Sequence, residues 1–139
     1  MKKKKLKSIK SLKNRAERLW KELAFKKWGR FCYVQKYYPH IKTRHTSTLQ
    51  IDHCISRRNK YFFLDIRNSL VVCSSCNFAK SVGNKSVSRA IDEIVKKRNP
   101  KWFKDAVWLD MQGEPNVNFS KRWYLEEIIT DLENEMKEL

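Results

Sequence analysis

The sequence has little glycine, little proline and no long apolar run. Three Gly and three Pro in 139 residues exclude a collagen-like or low-complexity chain. A membrane-spanning helix needs about 18 or more consecutive apolar residues, and the chain has no such run, so we expect none. The N-terminal residues are charged and lack the apolar core of a secretory signal, so we expect a cytoplasmic protein that is not secreted. Hydrophobic residues still make up 41% of the chain, enough for the core of one domain.

Acidic residues are scarce in the first 60 positions, which hold three of them and 19 Lys and Arg. Residues 61–139 hold 12 basic and 12 acidic residues, so the net charge of +16 arises in the first 60. This surplus predicts a polyanionic partner, because each phosphate that a basic side chain neutralises releases counterions. An anionic membrane surface is the competing partner for such an arm. We favour DNA and no membrane, since the chemistry of a later stretch points the same way.

The spacing of apolar residues predicts an α+β fold. Residues 1–7 form a basic, disordered tail that adds non-specific affinity for DNA through Lys2, Lys3, Lys4 and Lys5. Residues 8–139 form a single domain. It begins with an amphipathic, basic helix over 8–30, continues with a small core of strands and loops over 31–85, and ends with a helical part over 86–139.

Finer expectations follow from local patterns. Residues 31–48 predict strand or loop, 49–53 alternate as a short strand, and 69–73 form an apolar strand that leads into a helix near Cys76. Ser86 or Ser88 is the expected cap of a later helix. The final helix is expected to begin near Ser120, with an acidic outer face that would repel DNA. We therefore assign that helix to packing or self-association.

Asp52 and His53 are adjacent at the end of a predicted strand. Cutting a phosphodiester requires a base that activates water and a cation that stabilises charge on the phosphate and the leaving oxygen. His53 is the candidate base, and Asp52 is the candidate ligand of Mg²⁺ or Mn²⁺. Asn77 is the candidate second ligand, and Asn68 could bind the loop and fix the orientation of His53. The alternative is a purely structural role, in which His53 is a hydrogen-bonded histidine at the end of a strand and Asp52 is a carboxylate that stabilises a turn or caps a helix.

Four cysteines in a chain without a secretion signal are expected to be reduced, and to bind metal or lie buried. Cys73 and Cys76 form a C-x-x-C pair directly before Asn77, which is the spacing of a zinc half-site. Cys54 is expected in the core.

The order Asp-His, Asn and C-x-x-C-N in residues 49–77 resembles the HNH (ββα-metal) nuclease motif, with Asn77 in the place of the final His. The stretch is also similar to the core of the phage NinG/Rap recombination nuclease family. The resemblance extends weakly to an upstream helix and to the C-terminal segment. The matching positions are His53, Ser56, Arg57, Arg58, Phe63, Asp65, Asn68, Cys73, Cys76 and Asn77.

The resemblance implies a ββα-metal core over residues 31–85. It also implies a metal-dependent, structure-specific endonuclease that acts on branched DNA such as Holliday junctions, in the host cytoplasm if a phage encodes the chain. A homodimer would suit a symmetric junction.

The chain departs from this family upstream of the motif. The family has a first C-x-x-C pair, whereas here Cys32 is followed by Gln35 where the second Cys would be. Either a histidine completes a Cys₃His zinc site, or zinc has been lost and packing replaces it. The candidate zinc ligands are Cys32, Cys73, Cys76 and His45, with His40 as the alternative to His45.

Basic and aromatic residues near the motif are the candidate DNA contacts. Arg57 and Arg58 are expected to clamp phosphate, and Tyr61 and Phe62 are the candidate aromatic contacts. The full set of candidate contacts outside the tail is Arg57, Arg58, Lys60, Tyr61 and Lys80, with Phe62 beside them.

Two other functions stay open. The missing Cys makes a non-catalytic DNA-binding protein on a degenerate HNH scaffold conceivable. A homing- or restriction-type HNH nuclease would read sequence, but 139 residues leave little room for a separate recognition domain.

Overall fold

A computed structural model describes residues 6–41, 43–113 and 119–139. Across those ranges a two-stranded antiparallel sheet is surrounded by helices, which confirms the α+β prediction. The elements are α1 Ile9–Trp28, α2 Tyr33–Tyr37, β1 Leu49–His53, β2 Ser69–Cys73, α3 Ser74–Ser81, α4 Lys85–Arg98, α5 Pro100–Met111 and α6 Arg122–Lys137, with a short 3₁₀ helix at Ile66–Asn68.

Helix α1 matches the predicted basic helix. The Ser8 hydroxyl accepts a hydrogen bond from the Ser11 amide at 3.1 Å and caps the N-terminus. Gly29 ends the helix at φ +90°, a left-handed conformation that glycine adopts without strain. The buried side chains recur every three or four residues, which places one apolar stripe along the helix; they are Leu12, Ala16, Trp20, Leu23 and Ala24.

The segment after α1 contains a helix where strand or loop was predicted. Residues 33–37 form α2, and the Cys32 carbonyl accepts a hydrogen bond from the Lys36 amide at 3.1 Å. The helix buries Val34 against the sheet and leaves Gln35 exposed. The strand alternative is wrong here because one turn of helix buries the single aliphatic residue while the aromatic neighbours stack on one another.

The sheet pairs Leu49 with Cys73 at one end and His53 with Ser69 at the other. Alternate residues of a strand point to opposite sides of a sheet. His53 accordingly stacks on α1, while the neighbouring Asp52 reaches α3. Since β2 is buried along its whole length, both faces of the sheet are covered.

Two cores lie on the two sides of the sheet. The first, which we call the α1–α6 core, joins the α1 stripe to Ile51, Val71 and the α6 residues Leu125, Ile129 and Leu132. The second, the α4 core, joins β2, α2, α3 and α4; its members include Val34, Leu70, Val72, Val87, Ile91 and Val95.

Helix α4 begins one residue after Asn84, whose side chain accepts a hydrogen bond from the Val87 amide at 3.2 Å. The prediction of Ser86 or Ser88 as the cap is therefore wrong. Asparagine caps as well as serine does, and with the cap two residues before Ser86 and four before Ser88, Val87 lies in the first turn of α4 and in the α4 core.

Helix α6 begins at Arg122, close to the predicted start. Its apolar residues pack on α1, and Arg15 and Glu133 form an ion pair between the two helices at 2.6 Å. Packing is thus one role of this helix, and self-association stays a prediction.

The predicted DNA contacts of the tail, Lys2, Lys3, Lys4 and Lys5, lie outside the described residues. Leu6 and Lys7, the remaining described part of the predicted tail, are exposed and precede the first helix. No helix in the described ranges is long and apolar enough to cross a membrane.

Candidate functional site

Four side chains from different segments meet beside the first turn of α3. Cys32 caps α2, His45 lies in the segment before β1, Cys73 ends β2 and Cys76 lies in α3. Their ligand atoms all lie within 4.8 Å of one another. The Cys76 amide donates to Cys73 Sγ at 3.4 Å, so the C-x-x-C turn is folded with both thiols on one side.

The spacing of the ligand atoms fits a tetrahedral ion. A metal with sulfur ligands at about 2.3 Å and nitrogen at about 2.0 Å separates two sulfurs by about 3.8 Å, and a sulfur from a nitrogen by about 3.6 Å. Cys32 Sγ and Cys76 Sγ are 3.8 Å apart. His45 Nδ1 lies 3.5 Å from Cys73 Sγ and 3.4 Å from Cys76 Sγ. The four residues can therefore hold a metal ion, with His45 in the place of the missing cysteine.

The surroundings of His45 and Cys73 favour the states in which these two residues bind metal. His45 Nε2 lies 3.3 Å from Thr43 Oγ1, a partner that would fix the tautomer with Nδ1 free to bind. Burial raises the pKa of Cys73, but hydrogen bonds from the main chain of Thr46 and Cys76 and from the side chains of His45 and Cys76 lower it on balance, toward the thiolate that binds metal. Burial raises the pKa of the neighbouring Cys76. His40 lies outside the cluster, in a separate cavity beside Tyr38.

A second site lies next to this cluster, in a groove of about 670 Å³ between α1, β1 and α3. We call it the His53 groove. It brings together five of the residues singled out in the sequence, and it adds Glu17 and Lys21 from α1. The predicted residues that line it are Asp52, His53, Arg57, Asn77 and Lys80.

Asp52 is 8% exposed and forms an ion pair with Lys80, whose Nζ lies 2.6 Å from Asp52 Oδ2. The same ammonium donates to the His53 carbonyl at 2.6 Å. Burial raises the pKa of the Asp52 carboxyl above its usual value, and the charge of Lys80 opposes this. The carboxylate therefore already has a cation beside it, supplied by the chain itself.

The His53 imidazole lies between two aromatic rings. The Trp20 ring is 4.4 Å away on one side and the Phe63 ring 4.9 Å away on the other, both nearly parallel to it. Burial, and then the charge of Arg57, lower the pKa of His53 to about 4. The ring is therefore neutral at neutral pH. Its Nε2 is buried and has no hydrogen-bond partner within the described ranges.

Asn77 lies on the same side of the sheet as Asp52, but the two side chains have different partners. Asn77 Nδ2 donates to Gln50 Oε1 at 2.6 Å. The oxygens of Asp52 and Asn77 are hard donors of the kind that Mg²⁺ accepts, and this ion commonly takes only one or two protein ligands beside water and phosphate. The pair thus fits a divalent ion in donor type, provided that Lys80 leaves the carboxylate.

Asn68 does not line the His53 groove. It is buried, and its side chain accepts from the Ile55 amide at 2.6 Å and donates to the carbonyls of Ile55 and Phe62, both at 3.1 Å. These bonds tie the two ends of the loop after β1, which includes Phe63 of the aromatic stack. Asn68 therefore binds the loop as predicted, and it makes no hydrogen bond to His53.

The other predicted DNA contacts are dispersed. Arg58 and Lys60 are exposed on the loop, and Lys60 and Tyr61 line a different and larger cavity of about 900 Å³. That cavity also has acidic walls from α6, and it contains none of the Asp-His, Asn or Cys residues of the motif. Phe62 is buried against Trp102, so its prediction as a DNA contact is wrong; the aliphatic and aromatic run of this loop fills the core. Cys54 is half-buried at the edge of the α4 core, and its thiol donates to Asp92.

Sequence reasoning missed several residues of the site. Phe63 enters the sequence argument only as a position that matches the NinG/Rap family, and nothing in the spacing of Trp20 and Phe63 indicates a stack on His53. Thr43 and Gln50 carry no motif signal. The helical periodicity of Trp20 places it on the buried face of α1, which was the available hint.

Comparison with protein-family models, curated proteins and solved structures gave no match to this chain. The resemblance to HNH nucleases and to the NinG/Rap family therefore rests on the motif residues themselves.

Proposed function

We propose that the protein is a metal-dependent DNA endonuclease that hydrolyses phosphodiester bonds in the His53 groove. The observation that carries the proposal is one groove that holds a neutral histidine with an unpartnered ring nitrogen, a buried carboxylate and two cationic side chains. Unsatisfied buried polar atoms often mark functional sites, and these residue types are the ones that phosphodiester hydrolysis needs.

His53 is the proposed general base. A base must be unprotonated to accept a proton from water, and a pKa of about 4 keeps the ring neutral throughout the physiological range. The stack between Trp20 and Phe63 fixes the plane of the ring. The ring lines the groove, and water would reach its buried Nε2 only after a movement of the surrounding side chains.

Lys80 and Arg57 are the proposed phosphate ligands. Lys80 carries the more buried of the two charges and is held on Asp52, while the Arg57 guanidinium lies 3.8 Å from Glu17 and is largely exposed. Transfer of Lys80 from the carboxylate to an incoming phosphate would free Asp52. A Mg²⁺ or Mn²⁺ ion held by Asp52 and Asn77 would then stabilise negative charge on the departing oxygen.

Zinc is the proposed occupant of the Cys₃His cluster, because three thiols and one imidazole form a donor set that zinc prefers in structural sites. Its proposed role is to hold the turn from which Asn77 and Lys80 reach the groove.

Branched DNA is the proposed substrate because of the resemblance of residues 49–77 to the NinG/Rap family. A non-catalytic DNA-binding protein is the second candidate, favoured by one observation. Asp52 is occupied by Lys80 and the Nε2 atom of His53 is buried, so the groove has the geometry of a closed site.

Cleavage of a four-way junction, a linear duplex and single-stranded DNA, with Mg²⁺ or Mn²⁺, tests the proposal. His53→Ala should lower the rate by at least about 100-fold, the usual contribution of a general base, and should leave junction binding nearly unchanged. His40→Ala, which alters an exposed histidine outside the groove, is the matched control and should cleave normally.

Equal cleavage by His53→Ala would contradict the mechanism. No product with the wild-type chain on any substrate, together with tight binding, would favour the non-catalytic candidate.

A further inference from the structure

Two apolar side chains are exposed beside the His53 groove. Phe78 is 67% exposed and Val82 is 63% exposed, although both are large and hydrophobic. Neither belongs to a hydrophobic core formed by the described residues. Exposed apolar residues that cluster often mark an interaction site.

Phe78 lies on α3 and Val82 directly follows its last residue, which links both to the groove. Asn77 and Ser81 line the groove, and each is followed directly in sequence by one of the apolar residues. Consecutive residues of a helix are about 100° apart around its axis, so Phe78 and Val82 form a rim on the adjoining face. Cys76 is on the buried side of the same helix and is anchored in the metal cluster.

The surrounding charge indicates what this rim contacts. Residues 74–89 contain Lys80, Lys85 and Arg89 and no acidic residue, and Asp52 of β1 pairs with Lys80. A second copy of the chain would bring the same positive charge against itself. A polyanion that also exposes apolar faces suits the rim better, and DNA with a base that has left its stack is such a partner.

We propose that Phe78, supported by Val82, stacks against an unpaired or unstacked base next to the phosphate held in the His53 groove. Phe78 is then a specificity-determining residue that selects DNA whose bases are already exposed, as they are at a branch point. In an intact duplex a base must first be unstacked, at a cost of about a few kcal/mol per step, before it can contact Phe78. At a branch point, where stacking is already interrupted, this cost does not arise. The inference rests on the proposed function for the substrate class, since it supplies the physical basis for a preference for branched DNA.

Binding measurements with the full-length chain test this inference. The probes are a four-way junction with 2-aminopurine at the branch point and a linear duplex of the same sequence, in buffer without added Mg²⁺ or Mn²⁺. The variants are Phe78→Ala and Phe78→Trp. Trp108→Ala is the matched control, because Trp108 is also 60% exposed but lies on α5, outside the groove.

Phe78→Ala should lower affinity for the junction about tenfold, in line with loss of one base stack, and should change duplex affinity less than about twofold. The 2-aminopurine fluorescence change on binding should disappear in this variant and persist in Phe78→Trp, which keeps an aromatic face. Trp108→Ala should behave as the wild type.

Equal loss on both DNAs, no loss on either, or unchanged 2-aminopurine fluorescence with the wild type would overturn the inference. So would a concentration-dependent dimer that Phe78→Ala abolishes, because the rim would then serve self-association. These readouts need no cleavage. The inference can therefore be tested even if the protein binds DNA without cutting it. If Phe78→Ala cleaves DNA with an unchanged preference for the junction, the role of Phe78 is overturned and the endonuclease proposal stays intact.

Discussion

The environment of His53 has consequences for stability as well as chemistry. Stacking between Trp20 and Phe63 removes the ring from water, and Arg57 adds repulsion to the protonated form. The folded-state pKa is about 4, compared with about 6.5 in an unfolded chain. Between these two values the unfolded chain binds a proton that the folded chain does not. The stabilising effect of the neutral ring is therefore complete above about pH 6.5 and is lost as pH falls toward 4.

His53→Phe should remove this pH dependence, because phenylalanine keeps a flat ring between Trp20 and Phe63 and does not titrate. Chemical denaturation at pH 7 and at pH 4.5 measures the effect. The wild type should lose more stability than the variant on acidification, by at most about 3 kcal/mol for a shift of this size. His40→Phe alters an exposed histidine and should lose as much stability between pH 7 and pH 4.5 as the wild type does. Identical pH profiles for the wild type and His53→Phe would show that the ring titrates normally.

At the scale of elements, the Cys₃His cluster joins three parts of the chain. Cys32 brings the start of α2, His45 brings the segment before β1, and Cys73 with Cys76 brings the junction of β2 and α3. The His45 segment is also held by a hydrogen bond between the Thr46 and Ser74 hydroxyls at 2.7 Å and by one from the Ser74 amide to the Thr48 carbonyl at 2.9 Å, and a metal would add to these contacts. Bound zinc would therefore stabilise the base of α3 and the side chains that α3 presents to the groove.

Cys73→Ser should lose the metal and destabilise the fold. Elemental analysis of the purified wild type should give about one zinc per chain, and the variant should give none. The Tm of the variant should fall by roughly 5–10 °C, which corresponds to a loss of about 2 kcal/mol in a domain of this size. Cys54→Ser is the matched control, because Cys54 bonds to Asp92 and lies outside the cluster. Zinc retained by Cys73→Ser, or lost from Cys54→Ser, would contradict this ligand set.

The sequence was informative for elements that a local pattern specifies. The apolar period of α1 and the alternation over 49–53 each have one physical solution, and the structure adopts it. The prediction failed at α2 and at the Asn84 cap, where several residues satisfy the local rules and tertiary burial decides. In the structure α2 buries Val34, and the helix capped by Asn84 buries Val87.

The site was predictable in its membership and not in its contacts. The motif spacing predicted Asp52, His53, Asn77 and the cysteines, and the need for a fourth ligand left His45 and His40 open, of which the structure brings His45 into the cluster. The Lys80–Asp52 ion pair and the stack of Trp20 on His53 could not be predicted. Lys80 and Asp52 are 28 positions apart in the chain, and Trp20 and His53 are 33 apart. Whether they meet depends on how α3 and α1 pack on the sheet.

Charge is distributed unevenly over the whole molecule. Helix α1 carries seven basic and two acidic residues, and α6 carries five acidic and two basic ones. These helices pack together, so α6 neutralises part of the charge of α1 on one side. Lys21, Arg57 and Lys80 lie on the other side of α1, in the His53 groove, where Glu17 and Asp52 form ion pairs with them.

DNA binding should depend strongly on salt. Each phosphate contact on duplex DNA contributes about −0.9 to the slope of log K against log salt concentration. Arg57→Gln should therefore make the slope shallower by about 0.9, because it removes one contact. Lys97→Gln, which removes an exposed charge of α4 outside the groove, should leave the slope unchanged. Fluorescence anisotropy measures the affinity of each variant for duplex DNA at salt concentrations from about 50 to about 200 mM, the range over which affinity falls steeply. The two slopes are then compared. Equal slopes for the two variants would remove Arg57 from the DNA interface.

The packing of α1 on α6 also has a consequence for biosynthesis. The ribosome makes α1 before every other described element, and α6 after them. At about 5–20 residues per second, roughly 5–20 s separate the two helices. The α4 core, which uses residues from Cys32 to Val95, can form during that interval. The stripe of Leu12, Ala16 and Trp20 has no α6 beneath it until translation reaches Leu132, so a chain released early would expose that stripe and be the form most prone to aggregate.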